Sequence, residues 1–336
     1  MERGSERIKN FNGSPLSNQR GIGYDYLQSE PQKEGKGGIG MMQELWHGDC
    51  LELIKDVADE SVDLIILDPP YFRILNEKWD KFKNRNSYKV WTENYIKKLS
   101  TKLRLNGAIL LFGCSRNINI VSDISICLES NGLEYIQEII IDKGMKSIAG
   151  RISKKIKMLP PVSENIFVYR KNAKPFVKNL LKQKQMLLGY SSKEISEKMG
   201  FKTNGGGNWT KYCGDTEFPL FPAKEHWEKM MEIFSIPIDY KSIKETYNGI
   251  FGLTNVWDDI AFRSTTKHPS EKPLPLIERC VHIFSDEGDL VLDIFAGSGT
   301  TLVAAKNLNR QFIGIEKEKE YYDICLERLK EKEEFE

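Results

Sequence analysis

The sequence predicts an α/β fold: a mostly parallel sheet with helices on both faces, interrupted by a basic insert at roughly 145–265. Three observations carry this expectation. Short aliphatic runs alternate with helix-length amphipathic segments, the rhythm of strand–helix–strand units. The runs themselves, Val62 to Leu67 and Ile109-Leu110-Leu111-Phe112, are nearly continuous, as strands buried on both faces are. The rhythm lapses once, in a segment of unusual charge. Between Asp142 and Lys211 sixteen Lys/Arg stand against four Asp/Glu, a net of +12, which leaves 33 basic and 44 acidic residues elsewhere, a net of −11. The overall charge of +1 hides this split. Such a cluster is either a solvated surface or the footprint of a polyanion such as nucleic acid.

Composition excludes other classes. With 40% hydrophobic and 29% charged residues over 336, the chain is globular, large enough for one big domain or two ordinary ones. Its apolar runs are too short to span a bilayer. The opening Met1-Glu2-Arg3-Gly4-Ser5 leads into no apolar core of a signal peptide. The cysteines (Cys50, Cys114, Cys127, Cys213, Cys280, Cys325) form no C-x-x-C pair. They argue against a zinc site or disulfide framework and suit a reducing cytoplasm; no metal is expected.

Taken in order, residues 1–41 read as a glycine-rich, disordered tail. Glu44 to His47 is a short strand, followed by a helix from Leu51. Val62–Leu67 is a buried strand. Thr92 to Leu105 is an amphipathic helix with Tyr95, Ile96, Leu99 and Leu103 on one face, stopped by Asn106-Gly107. Ala108–Phe112 is a strand, Ile118–Ser130 a helix closed by Asn131-Gly132, and Tyr135–Ile141 and Asn165–Tyr169 are strands. In the basic segment Ser191 and Glu194 form a capping-box pattern for a short helix ended by Gly200. A Gly205-Gly206-Gly207 loop, Trp209, Tyr212 and a helix from Ala223 to Phe234 follow. The rhythm then returns: helix Leu274–Phe284, strand Leu290–Phe295, helix Gly299–Leu308, strand Gln311–Glu316, helix Tyr321–Lys330.

Two places invite chemistry. Asp293-Ile294-Phe295-Ala296-Gly297-Ser298-Gly299-Thr300 follows a strand and opens a helix, so its glycines permit close approach of a ligand to unpaired helix N–H groups. Glu316, ending the next strand, is placed to accept from ribose hydroxyls. Leu302 stands where a dinucleotide fingerprint needs its third glycine, which disfavours NAD and leaves room for a nucleoside without pyrophosphate. An ordinary structural turn is the plain alternative. Asp68-Pro69-Pro70-Tyr71 ends the Val62–Leu67 strand, where open α/β sheets bind ligands. Fixed proline carbonyls, an acid and a flat ring suit a planar group bearing an amino group; a simple Pro-Pro turn leaves the flanking acid and aromatic unexplained.

At these residues the chain resembles the amino-methyltransferases of DNA. Asp68-Pro69-Pro70-Tyr71 is similar to their D-P-P-Y motif and Phe295-Ala296-Gly297-Ser298-Gly299 to their F-x-G-x-G motif. His268-Pro269-Ser270-Glu271-Lys272-Pro273 resembles the H-P-x-x-K-P segment preceding the latter. The order, catalytic motif before cofactor motif, resembles the permuted β class. The resemblance covers about 42–142 and 265–330. It implies a Rossmann-like, mixed but mostly parallel methyltransferase sheet, with a tail at 1–41, a catalytic part at 42–144, a target-recognition insert at 145–265 and a cofactor part at 266–332.

It also implies S-adenosyl-L-methionine as cofactor. Asp49, beside Cys50, would bind the adenine, Glu316 the ribose, and Lys272 with Thr300 the methionine end, around Asp68, Asp293, Phe295, Ala296, Gly297, Ser298 and Gly299. Trp79-Asp80 resembles a W-D pair of the family or is a packing tryptophan on a lid loop. The reaction implied is methylation of the N6 amino group of an adenine flipped from duplex DNA. Asp68 and the Pro69 carbonyl would accept hydrogen bonds from the amine N–H groups, and Tyr71 would stack on the base. Lys143, Lys146, Arg151, Lys154, Lys155 and Lys157 would neutralise phosphates. The helix from Ser192, Gly200 and the stretch after it resemble a helix-turn-helix, with Asn204, Asn208 and Lys211 reaching base edges.

The alternatives are an N4-cytosine enzyme of the same fold, which more often has Ser at the Asp68 position, an inactive DNA-binding module, and an RNA or protein methyltransferase. The absence of Pro-Cys argues against cytosine-C5 chemistry. Implied partners are double-stranded DNA and, functionally, a cognate restriction endonuclease, with no membrane and with a monomer or homodimer.

Overall fold

A computed structural model describes residues 7–9, 41–72, 80–113, 118–144, 161–201, 208–214, 220–262 and 270–330. The strands are β1 (Arg7–Lys9), β2 (Gln43–His47), β3 (Val62–Leu67), β4 (Leu103–Gly113), β5 (Glu134–Asp142), β6 (Ser163–Arg170), β7 (Val256–Trp257), β8 (Leu290–Asp293) and β9 (Gln311–Glu316). The helices are α1 (Cys50–Leu53), α2 (Arg85–Lys102), α3 (Ile118–Ser130), α4 (Lys174–Leu188), α5 (Ser192–Met199), α6 (Asn208–Cys213), α7 (Lys224–Phe234), α8 (Leu274–Phe284), α9 (Thr300–Asn307) and α10 (Lys319–Lys330). The described strands form one sheet in the order β1-β2-β9-β8-β3-β4-β6-β5-β7. From β2 to β4 all neighbours run parallel, whereas β6 is antiparallel to both β4 and β5.

Both faces are covered. Leu64 and Ile66 of β3 pack with Leu276, Leu302 and Cys325 on the α8–α10 side. Their neighbours Ile65 and Leu67 face Tyr95, Ile96 and Leu99 of α2 and Ile124 of α3. This is why β3 reads as an unbroken run.

The structure corrects several boundaries. Three residues of the expected tail form β1, paired antiparallel on the outer edge of β2. Helix α2 starts at Arg85, not Thr92, because Asn84 and Ser87 form a reciprocal capping box and Tyr88 extends the buried stripe by one turn. It ends at Lys102. Asn106-Gly107 is therefore no helix stop: it lies in a bulge of β4, between the pairs Val62↔Leu103 and Leu64↔Ala108. Asn106 takes the left-handed conformation there, with φ 58°. An Asn-Gly pair satisfies a helix C-cap and a bulge equally well, so local sequence does not separate them.

The expected insert divides in two. Strand β6 belongs to the sheet, with Ile166 and Val168 in its core. Helices α4–α7 instead form a lobe with its own core of Val177, Leu181, Ile195, Trp209, Trp227 and Phe234. The predicted capping box is present at Ser191/Glu194, and Gly200 caps α5 in the left-handed conformation. Both chain crossings into the lobe meet at the β4 bulge. The Asn106 side chain accepts from Ala173 N–H at 2.9 Å and donates to the Ile243 carbonyl at 2.6 Å. Arg104 donates to the Lys244 carbonyl at 2.9 Å, and Arg170 to those of Asn106 at 3.0 Å and Thr246 at 2.7 Å.

Candidate active site

Strands β3 and β8 are parallel neighbours, but β3 continues through α2 to β4 on one side while β8 continues through α9 to β9 on the other. Their carboxyl ends thus flank the point where the winding reverses, the usual ligand crevice of such sheets. Here the structure brings the two motifs together. A cavity of about 330 Å³ is lined by Asp49 and Cys50, by Asp68 to Tyr71, and by Phe295, Gly297 and Glu316.

After β8 the chain turns sharply. Asp293 accepts from Phe295 N–H at 2.9 Å, and Gly297 and Gly299 have φ of 53° and 82°. Gly299 is required twice over: a Cβ there would lie 2.2 Å from Cys325 Sγ. Glu316 fastens the turn, accepting from Gly297 N–H at 2.7 Å on one oxygen and from Glu318 N–H at 2.7 Å on the other. Thr300, which opens α9, and Ser298 both receive Arg328, at 3.1 Å to each hydroxyl. Asp49 caps α1 through Leu51 N–H at 2.9 Å and pairs with Lys317 at 3.0 Å. Burial raises the Cys50 thiol to about 12, helped by the adjacent Asp49 charge, so it stays a neutral wall of the cavity.

The Asp-Pro-Pro-Tyr turn is held from α2, where Tyr88 Oη donates to the Pro70 carbonyl at 2.7 Å. Tyr71 Oη donates to Asp68 Oδ1. Lys272, expected near the methionine end, places its ammonium 2.5 Å from Asp68 Oδ2. It lies 5.3 Å from the Phe112 ring centroid and 5.8 Å from that of Tyr71. Aromatic rings close the far wall: Phe82 and Trp91 stand 5.1 Å apart, and Trp91 is 5.6 Å from Phe295. Tyr88, Trp91, Lys317 and Arg328 escaped the sequence reading. The aromatic spacing of Tyr88, Trp91 and Tyr95 along α2 was the available signal; nothing local marked the cations.

Of the residues expected on DNA, Lys146, Arg151, Lys154, Lys155, Lys157 and Asn204 lie outside the described residues, as does Trp79. Lys143 is engaged by Glu164 at 2.8 Å, across the β5–β6 pairing. Asn208 opens α6, and Lys211 is exposed on it. The lobe's first helix, α4, carries four lysines and no acidic residue. Among the described residues no helix is long and apolar enough to cross a membrane.

Two acids beneath the turn titrate abnormally. Burial raises Asp293 to about 6 and Glu316 to about 7. A carboxyl raised in this way favours the folded state while protonated, and that contribution is lost as pH climbs from about 4.5 to 7. Hydroxyl donors arriving at Glu316 favour its ionised form instead. A nucleoside ligand should therefore bind with proton release at about pH 6, and its affinity should rise with pH and level off above 7. Calorimetry in buffers of different ionisation enthalpy measures the release; Glu316→Gln should abolish it. An unchanged release in that variant would assign the proton elsewhere.

Comparison with known proteins gives the family. The family model described as DNA methylase, for N6/N4 methyltransferases, matches residues 62–327. The Type II methyltransferase M1.MboII of Moraxella bovis is 29% identical over 283 residues, covering 81% of this chain and 90% of that protein. M2.LlaDCHI of Lactococcus lactis subsp. cremoris is 27% identical over 317 residues, covering 90% and 93%. Among solved structures, the M1.HpyAVI–SAM complex superposes with a TM-score of 0.50 at 23% identity, over 84% of this chain and 98% of that one. The cytosine-N4-specific PvuII DNA methyltransferase reaches 0.52 at 17% identity, over 84% and 85%, a likeness of fold. With the family model covering most of its length and both motifs meeting in one crevice, the chain belongs to the N6/N4 DNA methylase family.

Proposed function

We propose that the protein is a Type II, site-specific DNA methyltransferase that methylates the N6 amino group of an adenine flipped out of duplex DNA. The observation that carries this reading is the position of Asp68, between Tyr71 and Lys272, on the same cavity as the Gly297–Glu316 turn. S-adenosylmethionine is the cofactor, and the site fits it. The cavity is of small-molecule size, its aromatic wall suits an adenine, and Glu316 and Asp49 provide acceptors for hydroxyl and amino donors. Thr300 and Ser298, held by Arg328, line a smaller adjoining pocket with Lys272 and would hold the amino-acid end. When bound, this cofactor supplies a methyl group on an electrophilic sulfonium.

The chain's own task is to present a poor nucleophile correctly. An aromatic amine delocalises its lone pair into the ring. Asp68 and the Pro69 carbonyl would accept hydrogen bonds from its two N–H groups, favouring a pyramidal nitrogen with an available lone pair, and Asp68 would take the proton that the nitrogen sheds on gaining the methyl group. Tyr88, bonded to Pro70, keeps that carbonyl turn in place. Tyr71 offers its ring to the base. Alignment and fixed charge supply the catalysis. Asp68, rather than a serine, supports adenine over cytosine. The basic segment 145–160 and the helical lobe serve as the DNA-reading parts, and a restriction endonuclease of the same site would be the functional counterpart. Incubation with labelled cofactor and plasmid DNA, followed by nucleoside mass spectrometry, tests this. N6-methyladenine is expected; N4-methylcytosine would move the enzyme to the other branch, and unlabelled DNA would overturn the reading.

A further inference from the structure

Both oxygens of Asp68 are engaged, one by Tyr71 Oη and the other by the Lys272 ammonium at 2.5 Å. An incoming amino group needs one of those acceptors. Tyr71 is a neutral donor on a stacking residue; Lys272 is the partner whose departure would leave a charge to be housed. The structure provides a second carboxylate for it. Glu164 stands on β6, in step with Ile166 and Val168 on the face that packs against α8 and α9. Phe112 of β4 pairs with Ile166, and the Lys272 ammonium lies 5.3 Å from the Phe112 ring. One Glu164 oxygen accepts from Lys143 at 2.8 Å. The other, Oε2, is buried and accepts no hydrogen bond among the described residues. A buried carboxylate oxygen without a donor is uncommon and calls for a reason. Burial alone would raise the Glu164 carboxyl, but Lys272 foremost, and Lys143, hold it below the usual range.

We infer that Glu164 is a positioning residue of the methyl transfer: it receives the Lys272 ammonium when the target amino group takes that ammonium's place on Asp68 Oδ2. Lys272 then passes between two carboxylates, and the charge of the pocket is the same before and after the base enters. Asp68 is neutralised while it waits and free to accept when the amine arrives. Glu164 acts through Lys272 and touches neither base nor cofactor. This rests on the reading that Asp68 accepts the target amino group.

The test is a double-mutant cycle on the full chain, using single-turnover methylation of plasmid DNA, with cofactor affinity and melting temperature as controls. Glu164→Gln should slow transfer by about tenfold with cofactor affinity unchanged. In a Lys272→Met background the same substitution should cost nothing further, since no ammonium remains to be received. A wild-type rate for Glu164→Gln, or losses that multiply in the double variant, would overturn the inference. Should Glu164→Gln lose its fold, Lys272→Arg serves instead. A planar, forked guanidinium bound bidentately to Asp68 releases it less readily, so transfer should slow without loss of cofactor binding, and an unaltered rate would count against the exchange. Failure of the unsubstituted chain to methylate DNA would instead overturn the proposed function, which separates the two outcomes.

Discussion

Asp68→Ala is expected to lower methyl transfer by about a thousandfold or more while leaving cofactor affinity within a few fold. The direction follows from where Asp68 stands. It directly follows β3 on the wall proposed to meet the target base, whereas Glu316 and the Gly297 turn, proposed to hold the nucleoside, lie on β9 and after β8. The substitution removes the acceptor proposed for the amine and strands two donors, the Tyr71 hydroxyl and the Lys272 ammonium. Transfer should therefore be lost in kcat, not in cofactor binding. Equilibrium binding of labelled cofactor and single-turnover methylation, measured on the same preparation, separate the two. A variant that methylates at near the normal rate would remove Asp68 from the mechanism altogether.

Gly299→Ala should be the most damaging single-methyl change in the cofactor half. The added Cβ would stand 2.2 Å from Cys325 Sγ, 3.0 Å from its Cβ and 3.3 Å from its Cα, at a φ of 82° that L-residues avoid. Left-handed strain of roughly 1–2 kcal/mol adds to an overpacking penalty of roughly 1–3 kcal/mol. For a chain of 336 residues, unfolding with about 2.1 cal/mol/K of entropy per residue, a total of about 3 kcal/mol lowers the melting temperature by roughly 4 °C. Cofactor affinity should fall with it, because Gly299 sets where the Gly297 N–H meets Glu316. Cys325→Ala removes the nearest atom but not the backbone contact, so the pair should recover only part of the loss. A fully stable Gly299→Ala protein would show that α9 and α10 separate more easily than their packing implies.

How much of this was legible in the sequence depends on how far apart the determining residues are. Strands β3 and β9 and helices α3 and α8 have the expected bounds, because each is fixed by its own run of residues. The two motifs were found for the same reason: each is a short, contiguous end of a strand. The Asp68–Lys272 contact joins residues 204 positions apart, and no local pattern encodes it. Asn106-Gly107 shows another limit. The pair specifies a left-handed residue, but whether that residue ends a helix or kinks a strand is decided by Val62, Leu64 and the lobe crossings that meet there. The charge split does not coincide with the lobe boundary: β6, legible as the strand Asn165–Tyr169, sits within the basic stretch, and only its pairing with β4 and β5 shows that it belongs to the sheet.

The β4 bulge has one more consequence. Because a single amide grips residue 173 on the way out and residue 243 on the way back, the intervening chain of about seventy residues leaves and re-enters through one socket. The lobe can thus be treated as a cassette. Exchanging it for another helical unit with the same two termini requires no rethreading of the sheet, so a lineage could replace the lobe while inheriting the sheet and its crevice intact.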